Sequence, residues 1–212
     1  MSDHRGKGIC SNVVSLLVLE GDTESVFYPL VREQYLTGVR VDLRQIKRGG
    51  NINKKILAKI FGYTLDHPCE LLRVYCCSDT DSNNNSPTPL DVGLIRRTVK
   101  ERDDMRCVLS VDVILADPEI ESWFFYDIEG IYGFLGAEKS KRNPRKYKNA
   151  GNLSREELQR LFGQFRKAYV PGNRAKNFID HLDLNKIITC CRELRVGIER
   201  IQTQATNSKK HI

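Results

Sequence analysis

The sequence predicts an α/β fold: a mostly parallel four-stranded sheet flanked by helices, with a helical C-terminal extension. Three observations carry that expectation. Nearly uninterrupted apolar runs at 13–19, 71–77 and 107–116 are too short for ordinary helices and are apolar on both faces, as buried parallel strands are. Segments with apolar residues at helical spacing lie between the strand patterns, which gives the alternating order of a parallel sheet with packed helices. After Asp117 strand signals fade and only helical patterns continue.

The first strand closes on Glu20-Gly21. Residues 22–35 read as a helix, opened by Asp22, Thr23 and Glu24 and carrying Val26, Phe27, Leu30 and Val31 on one face. Residues 39–46 alternate Val39, Val41, Leu43 and Gln45 with Arg40, Asp42, Arg44 and Ile46, the pattern of a strand near an edge. Gly49-Gly50-Asn51 breaks the chain before a helix at 52–65 with Ile56, Leu57, Ile60 and Phe61 inward. The third strand, 71–77, runs into Asp79-Thr80-Asp81, and the polar 82–89 segment with its asparagines and prolines reads as a surface connection. A third helix at 91–102 and a fourth strand at 107–116 complete the alternation.

A helix opening is expected at 118–127, with Glu119 and Glu121 at its positive end and Trp123-Phe124-Phe125-Tyr126 behind them. Trp123 reads as a core anchor rather than a base-stacking residue. Helices are expected at 155–167, 175–181 and 184–201. The chain divides into an α/β domain at 12–127, a basic helical extension packed on it at 128–201, and a disordered tail at 202–212.

With 212 residues and 40% hydrophobic content the chain can bury a proper core. No apolar run reaches the roughly 18 residues of a membrane helix and 1–11 lack a signal-peptide core, so a cytoplasmic protein is expected. Seven cysteines, with adjacent pairs at Cys76-Cys77 and Cys190-Cys191 and no C-x-x-C spacing, argue for free thiols and against structural zinc. The net charge of +7 is unevenly spread: about −4 over 1–140, +9 over 141–176 and +2 over 177–212.

Glu20 from one strand end, and Asp79 and Asp81 from another, can converge on a divalent cation, since open α/β sheets bind ligands at that edge and hard ions take oxygen ligands. The basic stretch, with Lys141, Arg142, Arg145, Lys146, Lys148, Arg174 and Lys176, suits a polyanion such as nucleic acid. Simpler readings stand beside these. Strand-end acids often only cap helices, and a basic stretch can be a solvated face. Lys47 and Arg48 suit either a phosphate contact or a charged turn. Asp-x-Asp also opens phosphatases that use an aspartate nucleophile, but here it follows the third strand, and Glu20 would then have no role.

Leu19-Glu20-Gly21, Asp79-Thr80-Asp81 and the alternating order between them resemble the Toprim fold. That metal-binding domain is shared by type IA and type II topoisomerases, bacterial primases, recombination proteins and overcoming-lysogenisation-defect nucleases. Glu20-Gly21-Asp22-Thr23-Glu24 is similar to the EGxTE opening of small Toprim-related proteins, including RloB-like ones, often encoded near prokaryotic defence systems. Glu119, Glu121, Trp123 and Asp127 resemble that group's E.E.W...D segment, and the likeness covers most of 13–201. The resemblance implies that Glu20 is the metal-linked acid/base residue, that Asp79 and Asp81 bind Mg2+ or Mn2+, and that Glu24 and Glu121 are supporting acids. It implies a metal-dependent nuclease or related phosphoryl-transfer enzyme acting on DNA or RNA, or else a catalytically silent nucleic-acid-binding or regulatory subunit of a defence complex. The asparagine-rich loop after Asp81 departs from the pattern. No G-x-x-x-x-G-K-[ST] loop is present, so any ATPase partner is a separate chain.

Overall fold

The computed structural model describes residues 12–47, 49–80 and 86–209, with side chains in the last helix as far as 204. The polar start at 1–11, Arg48, Asp81 and the asparagine run at 83–85 lie outside the described residues. Four strands, β1 (Asn12–Glu20), β2 (Val41–Ile46), β3 (Glu70–Asp79) and β4 (Val108–Ala116), pair in the order β2-β1-β3-β4, every pair parallel. They alternate with α1 (Glu24–Tyr35), α2 (Ile52–Asp66) and α3 (Val92–Glu101), as the apolar periodicities require.

The central strands are apolar on both faces because both faces are covered. Even-numbered Val14, Leu16, Val18, Leu72, Val74 and Cys76 pack with Ile56 and Ile60 of α2 and Ile95 of α3. Odd-numbered Leu17, Leu19, Tyr75 and Cys77 pack with Phe27 of α1 and with Trp123, Phe124 and Phe178 from the C-terminal helices. β2 is an edge strand, and its alternation leaves Asp42, Arg44 and Gln45 outside the core.

The chain steps from β1 outward to β2 through α1, then returns past β1 to β3 through α2 and on to β4 through α3. Parallel crossovers keep one hand, so reversing direction moves the helix to the other face of the sheet. A crevice therefore opens between the carboxyl ends of β1 and β3.

Beyond β4 come α4 (Ile120–Phe124), a 3-10 turn (Phe125–Asp127), α5 (Ile128–Leu135), α6 (Arg155–Gln164), α7 (Lys176–Ile179), α8 (Leu184–Cys190) and α9 (Arg192–Lys209). Trp123 is an interior anchor at 2% exposure, 6.0 Å from the Phe27 ring. One apolar core runs from β1 to Ile201, so residues 128–201 share the interior of the sheet's odd-numbered face.

The helices differ from expectation in three places. The 118–127 helix starts at Ile120 and gives way to the 3-10 turn, after which α5, hidden by its glycines, follows directly. The helix expected over 184–201 breaks at Cys191, which is extended (φ −85°, ψ 103°) and buried. The last helix also runs past its expected end at 201, because α9 continues to Lys209. Gln202 Nε2 donates to Tyr35 O at 2.7 Å, and Tyr75 Oη donates to Gln204 Oε1 at 2.7 Å. Those anchors come from distant elements, which composition alone does not reveal.

No helix among the described residues is long and apolar enough to cross a membrane. The described cysteines are free thiols. Burial pushes the Cys76 thiol up to about 12, so it behaves as an apolar strand residue.

Candidate active site at the carboxyl edge of the sheet

Glu20 ends β1 and Asp79 ends β3. Leu19 stands beside Cys77 in the ladder, so the two acids leave neighbouring strands that are about 5 Å apart. After Glu20 the chain turns on Gly21, whose φ of 120° is open only to glycine without strain. Gln45 Nε2 pins the turn from β2, donating to Gly21 O at 3.0 Å and Asp22 Oδ1 at 2.9 Å.

The pleat sends the two carboxylates to opposite faces of the sheet. Glu20 follows the even-numbered side, where the Ser78 hydroxyl donates to Glu20 Oε2. Asp79 follows the odd-numbered side and is 2% exposed, with Oδ1 accepting the Ile120 N–H at 3.0 Å. Asp79 therefore caps α4 while standing at the edge where a ligand would bind. Beside it, Thr80 Oγ1 donates to Asp117 Oδ1 at 2.7 Å and ties the end of β3 to the turn after β4.

Glu121 is wholly buried and held by the chain's own donors. Arg155 Nε reaches its Oε1 at 3.0 Å and an Arg155 terminal nitrogen reaches its Oε2 at 3.1 Å, a two-pronged ion pair. Thr23 Oγ1 donates to Oε1 at 2.9 Å and Tyr169 Oη at 3.0 Å. Arg155 also pairs with Glu119 at 3.1 Å, and its backbone N–H donates to the same carboxylate. Burial opposes the Arg155 charge, but bonding to Glu121 and the charges of Glu121 and Glu119 outweigh it and hold the pKa above its ordinary value. Burial first, then the Glu121 charge, pushes Tyr169 up, so both donors keep their protons.

This cluster joins the start of α1, the α4 turn, the start of α6 and the segment after it. The sequence marks Glu119 and Glu121 but not Arg155 or Tyr169. The one available signal is that a buried carboxylate demands a cation. Asp127 is likewise structural: its carboxylate accepts the N–H groups of Gly130 at 3.2 Å and Asp183 at 2.9 Å and pairs with Lys186 at 3.2 Å. Glu24 is buried at 2% in the first turn of α1, facing Tyr28 and Cys77.

Carboxylate oxygens are the donor type magnesium or manganese prefers. Glu20 and Asp79 supply them at the crevice, Asp81 lies outside the described residues, and no group of three His, Cys, Asp or Glu among the described residues is arranged to hold a metal.

The basic stretch is tied to this edge. Gly172 (φ 75°) lies so close to Asp22 that a Cβ on it would stand 2.9 Å from Asp22 Cβ, which brings the loop bearing Arg174 against the turn after Glu20. Lys176 pairs with Asp180 at 2.5 Å, Lys141 with Glu138 at 3.3 Å and Arg142 with Glu129 at 2.9 Å. Arg145, Lys148 and Arg174 are exposed and carry no ion pair among the described residues. Lys146 lies over the Tyr147 ring at 5.3 Å, and Tyr147 stacks on Phe125 at 5.3 Å.

No family model and no curated protein matches this chain. Among solved structures the chain is similar to the C-terminal region of the OLD protein of Xanthomonas campestris pv. campestris. The two share 15% identity with a TM-score of 0.45, over 93% of this chain and 98% of that one.

Proposed function

We propose that this chain is a metal-dependent nuclease, or a closely related phosphoryl-transfer enzyme, acting on nucleic acid. One observation carries the reading: Glu20 and Asp79 end the two strands between which the sheet order reverses, the place where open α/β sheets take their ligands. The contact between Gly172 and Asp22 supports it, because it seats the most basic part of the chain beside that acidic edge.

In this reading Glu20, Asp79 and Asp81 hold Mg2+ or Mn2+. When bound, the ion neutralises the scissile phosphate and lowers the pKa of an attacking water. Glu20 takes up a proton at its carboxylate, oriented by the Ser78 hydroxyl. Glu24 and Glu121 support the site from behind, Glu121 by fixing Thr23. Lys141, Arg142, Arg145, Lys146, Lys148, Arg174 and Lys176 hold the backbone phosphates. A cytoplasmic defence or DNA-processing setting, with any ATPase on a separate chain, belongs to the same proposal.

A second reading, a silent nucleic-acid-binding subunit, is favoured by the Asp79 carboxylate, which is buried and taken up by the Ile120 N–H on the face of the sheet opposite to Glu20. Manganese titration separates the two. The nuclease reading expects Mn2+ to raise the melting temperature and to support cleavage of labelled DNA or RNA, with cleavage abolished in Glu20→Gln. Nucleic-acid binding with neither response establishes the silent reading.

A further inference from the structure

Gly21 follows Glu20 directly and has no side chain to limit its rotation, so the turn that presents the Glu20 carboxylate must be held from outside. The helix that follows does not hold it. Thr23, at the cap position of α1, gives its hydroxyl to Glu121 rather than to the helix, and Asp22 turns its carboxylate toward β2. Ser25 Oγ donates to Asp22 O at 2.6 Å, which ties Asp22 to α1 and does not reach Gly21.

Gln45 reaches it instead. This residue stands opposite Leu19 in the ladder, one position before the end of β2, and is exposed at a sheet edge where a polar side chain needs no protein partner. A side-chain amide nitrogen carries two hydrogens. Gln45 Nε2 directs them to consecutive residues of the turn, Gly21 O at 3.0 Å and Asp22 Oδ1 at 2.9 Å. Gly172 closes on the Cβ of the same Asp22, so the turn is clamped between the amide from β2 and the loop that bears Arg174.

We propose that Gln45 is a positioning residue of the acidic edge: it touches no reacting atom, and it fixes the turn after β1 so that Glu20 keeps a single presentation toward the cation. The proposal rests on the reading of the chain as a metal-dependent enzyme and adds to that site a residue from β2, the strand that contributes no carboxylate to it. Groups that orient a metal ligand are worth about 10- to 100-fold in metal affinity or activity although they never touch the ion. Stability depends little on such a residue, because exposed side chains contribute little to it. Affinity and stability therefore separate a positioning role from a structural one.

The test measures Mn2+ binding to the full chain by electron paramagnetic resonance, which counts the free ion without requiring turnover, beside the melting temperature in EDTA. Gln45→Met keeps the length and neutrality of the side chain and removes the donor. It is expected to weaken Mn2+ binding about tenfold while shifting the EDTA melting temperature by no more than about 2 °C. Gln45→Glu separates geometry from charge. A negative charge added at this edge attracts a cation more strongly, whereas a lost donor and repulsion of Asp22 open the turn, so binding weaker than wild type is expected. Adding Asp22→Asn to Gln45→Glu restores a donor and an acceptor across the same gap at the wild-type net charge, and affinity is expected to return toward wild type. Unchanged Mn2+ affinity in Gln45→Met, or tighter binding in Gln45→Glu, overturns the role of Gln45 and leaves the nuclease reading standing. A double variant no better than Gln45→Glu does the same, as does a larger fall in the EDTA melting temperature of Gln45→Met, which assigns the residue to the fold. Wild type that binds no Mn2+ overturns both readings.

Discussion

Asp79 ends β3 and also holds the Ile120 N–H at 3.0 Å, so deleting its side chain and neutralising it have different consequences. Asp79→Ala loses the cap and is expected to cost about 1–2 kcal/mol, measured by urea unfolding. Asp79→Asn keeps an acceptor oxygen, so it is expected to fold with near wild-type stability yet lose the melting-temperature response to manganese. Arg155 presents the opposite situation. Arg155→Met strands the wholly buried Glu121 without its cation, and the expected loss is about 3–5 kcal/mol by the same measurement. The residues most conspicuous as acids thus divide by surroundings: Glu121 and Asp127 are surrounded by the chain's own donors, whereas Glu20 has the Ser78 hydroxyl and the crevice.

At the scale of elements, β4 is an outermost strand of nine residues, with Leu109 48% exposed and no lysine or proline to blunt its edge. The flanking helices supply that protection. Arg96 of α3 donates through Nε to Val111 O at 2.7 Å, and Arg96 and Arg200 of α9 each reach Asp112 at 3.5 Å. Guanidinium groups from two helices therefore meet over the edge, a cover that discourages another strand from pairing. Arg96→Ala is expected to leave thermal stability nearly unchanged, as surface substitutions do. Sedimentation velocity is expected to show concentration-dependent self-association in the variant beyond that of the wild type. Identical sedimentation of the two across concentrations would remove this role from Arg96.

For the whole molecule, charge separation is the governing feature. The first 140 residues carry about −4, and the next 36 carry +9, joined through the Gly172 contact. Each phosphate neutralised by a lysine or arginine releases counterions, so affinity for nucleic acid is expected to fall linearly with salt on logarithmic axes. Reversing Arg145, Lys148, Arg174 and Lys176 to glutamate is expected to flatten that slope by about three to four units and to weaken binding to all sequences alike. A slope unchanged by the four reversals would place the footprint elsewhere.

Periodicity and composition by themselves determined the alternating α/β order, the edge character of β2, the free thiols and the burial of Trp123. Each depends on local spacing, because a strand buried on both faces must be apolar throughout and a helix packed on it must be apolar at every third or fourth position. The acidic strand ends were legible for the same reason, since Glu20 and Asp79 close apolar runs. Only the tertiary structure decided what those acids meet. Pleat direction parts Glu20 from Asp79, the Asp79 carboxylate reaches 41 residues along the chain to Ile120, and Glu121 finds Arg155 34 residues away. The break at Cys191 and the docking of Gln204 on Tyr75 likewise depend on distant partners. A buried charge or a helix end must be satisfied by whatever folding brings beside it, and spacing along the chain carries no record of that neighbour.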